Sequence, residues 1–290
     1  MDILILGCGF TGIRVAQRFI SKGAQVTVTT RDPERLSSLR ARVITLSEVP
    51  GHIKKGMLVL HSIPPEGSAQ IPALLQNAPT RVVYLSTTAV YGATHLVDEN
   101  TPVDEQDERA HPRLIDESRV ANGPWSSLIL RPAGIYGPGR GAHESVRRGT
   151  YVAGDNYVSR IHVDDLATHA EAALLSDIVG AYPVADEFPV TTREVAEFCK
   201  ALLAITESRE IPSAVGRTPS SAEDPLVRQR SALPSQSSIL SKVQNEPNRP
   251  PRPVSNRKVD GSAIRRALGI TLAYPSYRTG IPAALAEHNL

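Results

Sequence analysis

The chain has 290 residues, and its composition is typical of a folded globular protein, with 41% hydrophobic and 21% charged residues. The formal net charge is only +2, so no overall field attracts nucleic acid or an anionic membrane surface. Two cysteines, Cys8 and Cys199, do not suggest a disulfide framework, and a reducing cytoplasm is the expected compartment. We predict no signal peptide and no membrane anchor, because the first apolar run is short and lacks a basic region.

Short apolar strands alternate with helical segments along most of the chain. The first strand is predicted at Ile3–Leu6 and the second over residues 24–30, with a helix between them that ends at Lys22-Gly23. Thr191 and Glu194 form a T-x-x-E capping box, which predicts that another helix begins there. Strands that alternate with helices form βαβ units, so we predict an α/β fold with a parallel sheet. Further apolar strands are predicted at RVITL, MLVLH, RVVYLST and SSLILR.

Residues 207–258 differ in composition from the rest of the chain. They are rich in serine, proline and arginine, are net basic, and show no steady hydrophobic period. Such a composition buries little apolar surface, so we expect a surface loop or insertion. A polyproline II ligand or a basic arm that contacts a partner is the alternative.

The residues GCGFTG at 7–12 match the pattern G-x-G-x-x-G where the first strand meets the first helix. In this pattern Gly7 permits the tight turn, Gly9 lets a pyrophosphate approach the backbone, and Gly12 lets the helix pack closely on the sheet. The free N–H groups and the dipole of the helix N-terminus favour bound phosphate. We therefore predict a dinucleotide site that includes Phe10 and Thr11. The alternative is a glycine-rich turn that holds no ligand.

The end of the second strand bears on the choice between NADP and NAD. NAD sites usually place an acidic residue there to bind the ribose 2′-hydroxyl, but this strand ends in hydroxyls followed by Arg31. An arginine can pair with a 2′-phosphate through two hydrogen bonds. The sequence therefore predicts NADP as the cofactor, with NAD less favoured. The alternative is that Arg31 is a solvated surface charge and Asp32 only caps a helix.

Four later motifs follow the glycine loop along the chain. They are VVYLSTTAVYG (82–92), VDENTP (97–102), LILRPAGIYGPGR (128–140) and SRIHVDDLA (159–167). In order and rough spacing they resemble the extended and atypical short-chain dehydrogenase/reductases, the NAD(P)-dependent epimerase/dehydratase superfamily. The resemblance covers most of residues 1–200 and resumes at 256–281.

This resemblance implies a doubly wound Rossmann fold with a small C-terminal substrate lobe. We place the NADP-binding core at 1–170 and the C-terminal region with the lobe at 171–290. Family likeness places Ser62 and Pro64 along the cofactor ribose. It also implies that a later loop passes near the nicotinamide, at Pro132, Ala133 and Gly134. Candidates to line the substrate's sugar or diphosphate are Tyr136, Arg140, Arg160 and His162, although such residues also serve as structural caps.

In the same superfamily a Ser or Thr, a Tyr and a Lys four residues later usually carry the catalysis. The lysine lowers the pKa of the tyrosine so that the phenol can exchange a proton. Alignment on VYG places Thr87 at the hydroxyl position, and the best match to the Tyr-x-x-x-Lys dyad is Ile115 to Arg119. Arg119 can still bind ribose hydroxyls, but Ile115 cannot transfer a proton. No tyrosine occurs between Tyr91 and Tyr136 to replace it.

Three hypotheses follow from the missing dyad. The chain could be an NAD(P)-dependent oxidoreductase or epimerase for a nucleotide sugar or a related hydroxy or keto compound, with a non-standard acid/base. It could instead be an NADP(H)-binding, catalytically inactive, redox-responsive module. Third, the register of the dyad could differ from the one chosen. Candidates for the non-standard acid/base are Asp116, Glu117, His111, Tyr91 and Tyr136.

The remaining predictions concern partners. His and Cys residues lack the spacing of metal ligands, so we predict no metal site. We expect a small-molecule substrate rather than nucleic acid or a membrane, since the one basic segment lacks interleaved aromatic residues. The family resemblance makes a homodimer a further expectation.

Overall fold

The central sheet of the computed structural model, which describes residues 1–76, 78–210 and 256–288, has seven parallel strands. Their order is β11-β7-β5-β4-β1-β2-β3, so the direction of winding reverses between β1 and β4. The predicted doubly wound Rossmann fold is thereby confirmed. The sheet strands are β1 (Asp2–Leu6), β2 (Gln25–Thr29), β3 (Arg42–Ile44), β4 (Leu58–His61), β5 (Arg81–Leu85), β7 (Ser126–Pro132) and β11 (Gly180–Val184).

Helices cover both faces of this sheet. Successive residues of a strand point to opposite faces, so Ile3 and Ile5 pack in one core cluster while Leu4 and Leu6 pack in the other. This explains why the strands read as continuous apolar runs. The helices are α1 (Phe10–Ser21), α2 (Val49–His52), α3 (Ile71–Leu75), α4 (His111–Ala121), α5 (Ala142–Arg147), α6 (Val163–Leu175), α7 (Thr192–Glu210), α8 (Ser262–Ala267) and α9 (Tyr277–His288).

Short strand pairs and three helices build a smaller lobe at one end of the sheet. α5 and α9 both pack on α7, around a cluster that contains Tyr136, Cys199, Tyr277 and Ile281. A separate parallel pair joins the segment after β5 to the segment after residue 255. The remaining strands are β6 (Leu96–Val97), β8 (Gly134–Tyr136), β9 (Tyr157–Val158), β10 (Arg160–His162), β12 (Val190–Thr191) and β13 (Lys258–Val259).

Some boundaries differ from those drawn from the sequence. β11 comes from the region 171–290, yet it is an edge strand of the central sheet beside β7. After β2 the chain makes only a short 3₁₀ turn at Glu34–Leu36, and an oxygen of Asp32 accepts a bond from the Arg35 N–H at 3.4 Å. Most of the predicted loop 207–258, residues 211–255, lies outside the described residues. Among the helices described, none has both the length and the apolarity needed to cross a membrane.

Candidate functional site

The glycines of the loop between β1 and α1 differ in what a side chain would meet there. Gly7 has φ +84°, and a Cβ on it would lie 3.0 Å from Ile63 Cγ1. A Cβ on Gly12 would lie 2.9 Å from the Gly7 carbonyl oxygen, so the helix packs directly on the loop. A Cβ on Gly9 would meet nothing within 4 Å. Gly7 and Gly12 are therefore required by the fold, whereas Gly9 borders open space at the start of α1.

Hydrogen bonds from the neighbouring strands hold this loop in place. The Gly7 N–H donates to Thr29 Oγ1 at 3.0 Å, and the Cys8 N–H donates to the Thr29 carbonyl at 2.7 Å. From the other side, the Ser62 hydroxyl donates to the Gly7 carbonyl at 2.7 Å. The ends of β2 and β4 thus fix the loop, and Ser62 lies beside it. Pro64 is exposed and precedes a 3₁₀ turn at Pro65–Gly67.

Two exposed arginines follow β2, the strand that bonds the loop before α1. The first turn of this helix contains no acidic residue, so nothing within the helix neutralises the N-terminal dipole. Arg31 is exposed at the end of β2, as expected from the sequence. Arg35 is a second exposed arginine, and it lies close enough to the loop for its charge to act on Cys8. Burial raises the pKa of the Cys8 thiol to about 12, and the charge of Arg35 opposes that rise. In the sequence, only its position four residues after Arg31 could have indicated that Arg35 lies near the loop. Thr11, the second residue of α1, is buried.

Thr87 lies immediately beyond β5, at the carboxyl edge of the sheet. It is half-buried, and its Oγ1 accepts a bond from the Ala89 N–H at 3.2 Å. A hydroxyl that accepts one hydrogen bond can also donate one, so Thr87 has a donor hydrogen in addition to this bond. The preceding residue, Ser86, points into the protein instead and donates to Glu117 Oε1 at 2.5 Å.

The structure distinguishes between the two arginines of α4, Arg113 in its first turn and Arg119 in its last. Arg119, predicted to bind the ribose, is bonded to Asp116 Oδ1 at 3.0 Å, and Ile115 is 50% exposed. Arg113 instead reaches the carboxyl end of β5, where its Nη1 donates to Tyr84 Oη at 3.0 Å and contacts the Leu85 carbonyl at 3.5 Å. The cation of α4 that contacts the strand leading to Thr87 is therefore Arg113. The sequence analysis did not select Arg113, because it aligned the dyad six residues further along the chain.

Two carboxylates of α4 are buried beneath the site and already bonded. Asp116 accepts from Ser68 at 2.5 Å as well as from Arg119. Glu117 accepts from Ser86, and Arg131 Nη2 donates to its Oε2 at 2.6 Å. Both side chains are almost fully buried. Neither acid is placed on an open surface from which it could exchange a proton with a substrate.

The other candidate acid/base groups, Tyr91, Tyr136 and His111, are also engaged elsewhere. Burial raises the pKa of the Tyr91 and Tyr136 phenols, and that of the neighbouring Tyr84, above the ordinary value. His111 lies at the start of α4, with Nε2 2.6 Å from the Glu105 carbonyl oxygen. His61 ends β4, and burial lowers its pKa to about 3, which keeps the ring neutral near pH 7. The phenols are therefore protonated and inaccessible, unlike the activated tyrosine of the usual dyad.

The predicted substrate-side residues do not share one surface. Tyr136 is buried, with its hydroxyl donating to the Ser276 carbonyl at 3.3 Å. His162 is buried and accepts from the Asp164 N–H at 3.3 Å, which is the capping role considered as its alternative. Arg160 is buried and bonds Tyr151 Oη at 2.8 Å. Of the four, Arg140 alone is exposed.

The segment predicted to pass near the nicotinamide connects β7 to β8. Pro132 ends β7, and the Ala133 N–H donates to the Val184 carbonyl at 2.9 Å. Gly134 is exposed at the start of β8. The segment therefore lies at the same carboxyl edge of the sheet as Thr87, since β5 and β7 are adjacent and parallel.

Comparisons with known proteins agree with this architecture. The family described as NADP oxidoreductase, coenzyme F420-dependent, matches residues 2–90, which span β1 to the turn after β5. No curated protein sequence matches the chain. A structure described as an NAD-dependent epimerase/dehydratase from Methylobacillus flagellatus has a TM-score of 0.71 at 23% identity, covering 100% of this chain and 99% of that one.

Two further solved structures carry bound cofactors. MoeE5 in complex with UDP-glucose and NAD has a TM-score of 0.68 at 18% identity, covering 99% of this chain and 98% of that one. Human epimerase family protein SDR39U1 (isoform 2) with NADPH has a TM-score of 0.66 at 18% identity, with 99% of each chain covered. These likenesses show that the chain has the fold of these proteins, with 99% or more of it covered in each comparison.

Proposed function

We propose that the chain binds NADP(H) across the carboxyl ends of β1, β2 and β4. The observation that carries this proposal is the open space at Gly9, at a helix N-terminus without acidic residues, together with two exposed arginines that follow β2. Backbone N–H groups there suit the cofactor diphosphate, and Arg31 with Arg35 suits a 2′-phosphate. These residues therefore fit an anionic dinucleotide. NAD lacks the 2′-phosphate and is the less favoured cofactor.

The reaction we propose is hydride exchange with a hydroxyl or carbonyl compound. The nicotinamide, when bound, supplies or accepts the hydride. Thr87 orients the substrate oxygen by donating its hydroxyl hydrogen. We assign to Arg113 the role first predicted for Arg119, because its Nη1 contacts Tyr84 Oη at 3.0 Å and the Leu85 carbonyl at 3.5 Å. The phenols near Thr87 are buried and not activated. The proton is therefore exchanged by a group other than a tyrosine.

The substrate class we favour is a nucleotide sugar or a related hydroxy or keto compound. MoeE5, which shares the fold, holds UDP-glucose together with NAD. The lobe formed by α5, α7 and α9 borders the same end of the sheet as Thr87, which is where ligands bind in open α/β sheets. A homodimer remains a prediction from the family resemblance.

The substitution Thr87→Ala tests the proposed reaction. We expect it to abolish NADPH-dependent turnover of a carbonyl panel that includes UDP-4-keto sugars, while the Kd for NADPH stays within a factor of about two. Thr45→Ala, a change at the exposed hydroxyl cap that follows β3, serves as the control and should retain activity. Undiminished turnover in Thr87→Ala would remove Thr87 from the mechanism.

A second function, cofactor binding without turnover, is favoured by one specific observation. The position aligned with the catalytic tyrosine carries Ile115, and the phenols of Tyr84, Tyr91 and Tyr136 are buried with raised pKa values. Such a module would bind NADPH and never consume it. Steady NADPH consumption with any substrate of the panel would exclude this function.

Restoring the dyad in each register separates the two functions further. One variant carries Ile115→Tyr with Arg119→Lys, and the other carries Arg109→Tyr with Arg113→Lys, since Arg109 precedes Arg113 by the same four residues. The contacts of Arg113 predict that the second pair gains the greater activity. A gain in either would show that the pocket is otherwise competent.

A further inference from the structure

Arg140 is an exposed arginine that lies beside the cofactor loop rather than in the substrate lobe. Its guanidinium carbon lies 5.2 Å from the centre of the Phe10 ring, within the range of a cation–π interaction. Among the described residues, no carboxylate lies within ion-pair distance of it. Its positive charge is therefore held on the ring without being neutralised.

The turn that carries Arg140 is fixed against the same ring. Backbone bonds link Gly137 and Arg140 in both directions, at 2.9 and 3.0 Å. A Cβ on Gly137 would lie 2.6 Å from Val163 Cγ1 and 3.1 Å from Phe10 Cζ, so only glycine permits this close approach. The guanidinium thus extends from a rigid support that packs on the cofactor loop.

Phe10 links this support to the phosphate site. It is the first residue of α1 and directly follows Gly9, whose Cβ position is open. A diphosphate in that space would have the N–H groups of α1 on one side. Arg140, held over Phe10, is an exposed cation on the side of the later loop.

We infer that Arg140 binds the diphosphate of the cofactor, opposite the N-terminus of α1, and that it is not a ligand of the substrate. The inference rests on the proposed function and assigns Arg140 to the cofactor within it. Two observations favour the cofactor over a substrate diphosphate. The platform of Arg140 belongs to the cofactor loop, and the companions predicted for the substrate side, Tyr136, Arg160 and His162, are buried and bonded elsewhere.

Arg140→Gln, measured by calorimetry in the full chain, tests this assignment with three ligands. NADPH contains the diphosphate, 2′-AMP keeps only the adenosine end, and UDP stands for the substrate. We expect the Kd for NADPH to rise about tenfold, because one charge-assisted contact is lost. The Kd values for 2′-AMP and UDP should change by less than about twofold. Arg140→Lys should recover part of the affinity for NADPH.

The control is Arg193→Gln, which removes an exposed arginine that pairs with Asp155 elsewhere on the lobe. It should leave all three Kd values unchanged. Thermal unfolding of each variant verifies folding, which an exposed side chain should not affect. Wild-type binding of NADPH with no change in Arg140→Gln would overturn the assignment alone. Weakening of UDP only would place Arg140 on the substrate. Failure of the wild type to bind NADPH would overturn the proposed function and this inference together.

Discussion

The cofactor loop and helix α4 face the same edge of the sheet but are built by opposite means. The loop between β1 and α1 relies on glycines and backbone hydrogen bonds, and the exposed arginines near it form no ion pair within the part of the chain that the structure describes. α4 instead buries carboxylates, each paired with an arginine and a serine hydroxyl. The arginines near the loop are thus exposed to a ligand, whereas the carboxylates of α4 are bonded to partners inside the protein.

This difference shows which half of the site is ready for a ligand. The unneutralised helix N-terminus and the open space at Gly9 fit an anionic group without any rearrangement. Around Thr87, by contrast, the ionisable groups contributed by α4 and by the phenols are buried or bonded. The structure therefore supports cofactor binding more directly than it supports proton transfer.

Arg131→Met should produce the largest effect, because it leaves the buried Glu117 carboxylate without its arginine. Loss of one partner of a buried ion pair destabilises a protein by about 3 kcal/mol. Urea unfolding followed by circular dichroism would show the midpoint fall. Arg193→Met removes an arginine from an exposed pair with Asp155 and should leave the midpoint unchanged. Equal midpoints for both variants would contradict a structural role for the α4 charges.

The buried carboxyl group of Asp186 should make the stability of the protein depend on pH. Burial raises its pKa from 3.8 to about 7, against the opposing charge of Arg160. The folded state therefore binds more protons than the unfolded state between these values, and stability falls as pH rises from about 4 to 7. Asp186→Asn should remove that loss and stabilise the protein by about 2 kcal/mol at pH 8, with little change near pH 4.

The control for this pH profile is Asp155→Asn. Arg193 holds the pKa of Asp155 below its ordinary value, so this carboxyl is already ionised across the range from pH 5 to 8. Its substitution should not alter the slope of stability against pH in that range. An Asp186→Asn variant whose stability follows the wild type at every pH would show that Asp186 does not titrate in this way.

Gly9→Ala separates binding from folding in the cofactor loop. The added Cβ meets nothing in the protein, so the melting temperature should not change, but the methyl group occupies the space proposed for the diphosphate. We expect the Kd for NADPH to rise about 20-fold. Gly51→Ala, another glycine in open space, should change neither quantity. Gly12→Ala should lower stability, since its Cβ would lie 2.9 Å from a backbone oxygen.

Arg31→Gln should have the smallest and most selective effect. Loss of one arginine at the 2′-phosphate should weaken NADPH about tenfold and leave NADH unaffected. Fluorescence titration with both nucleotides measures the ratio, and Arg42→Gln on strand β3 serves as the control. A parallel loss for NADH would mean that Arg31 contacts a group common to both cofactors.

Local patterns predicted the parts of the fold that local chemistry determines. The capping box is present, with the Glu194 N–H donating to Thr191 Oγ1 at 3.2 Å and α7 beginning at Thr192. The glycine loop follows a strand and opens a helix, as the G-x-G-x-x-G spacing predicts. Both features depend on residues that are close in sequence, so the sequence alone was sufficient.

The α4 side of the site could not be predicted in the same way. Which of Arg113 and Arg119 reaches β5 depends on how an 11-residue helix is rotated against the sheet, and no local pattern sets that rotation. The Glu117–Arg131 pair likewise joins a helix to a strand 14 residues away. The burial of Tyr136 depends on α9, where a Cβ on Gly280 would collide with its hydroxyl. These arrangements are set by tertiary packing.

Calorimetric titration of the full chain with NADPH and, in parallel, NADH tests the central claim most directly. The open loop at Gly9 and the exposed arginines after β2 predict that NADPH binds at one site per chain, about tenfold or more tighter than NADH. Failure of both nucleotides to bind, or tighter binding of NADH, would contradict the NADP(H) site from which the proposed function starts.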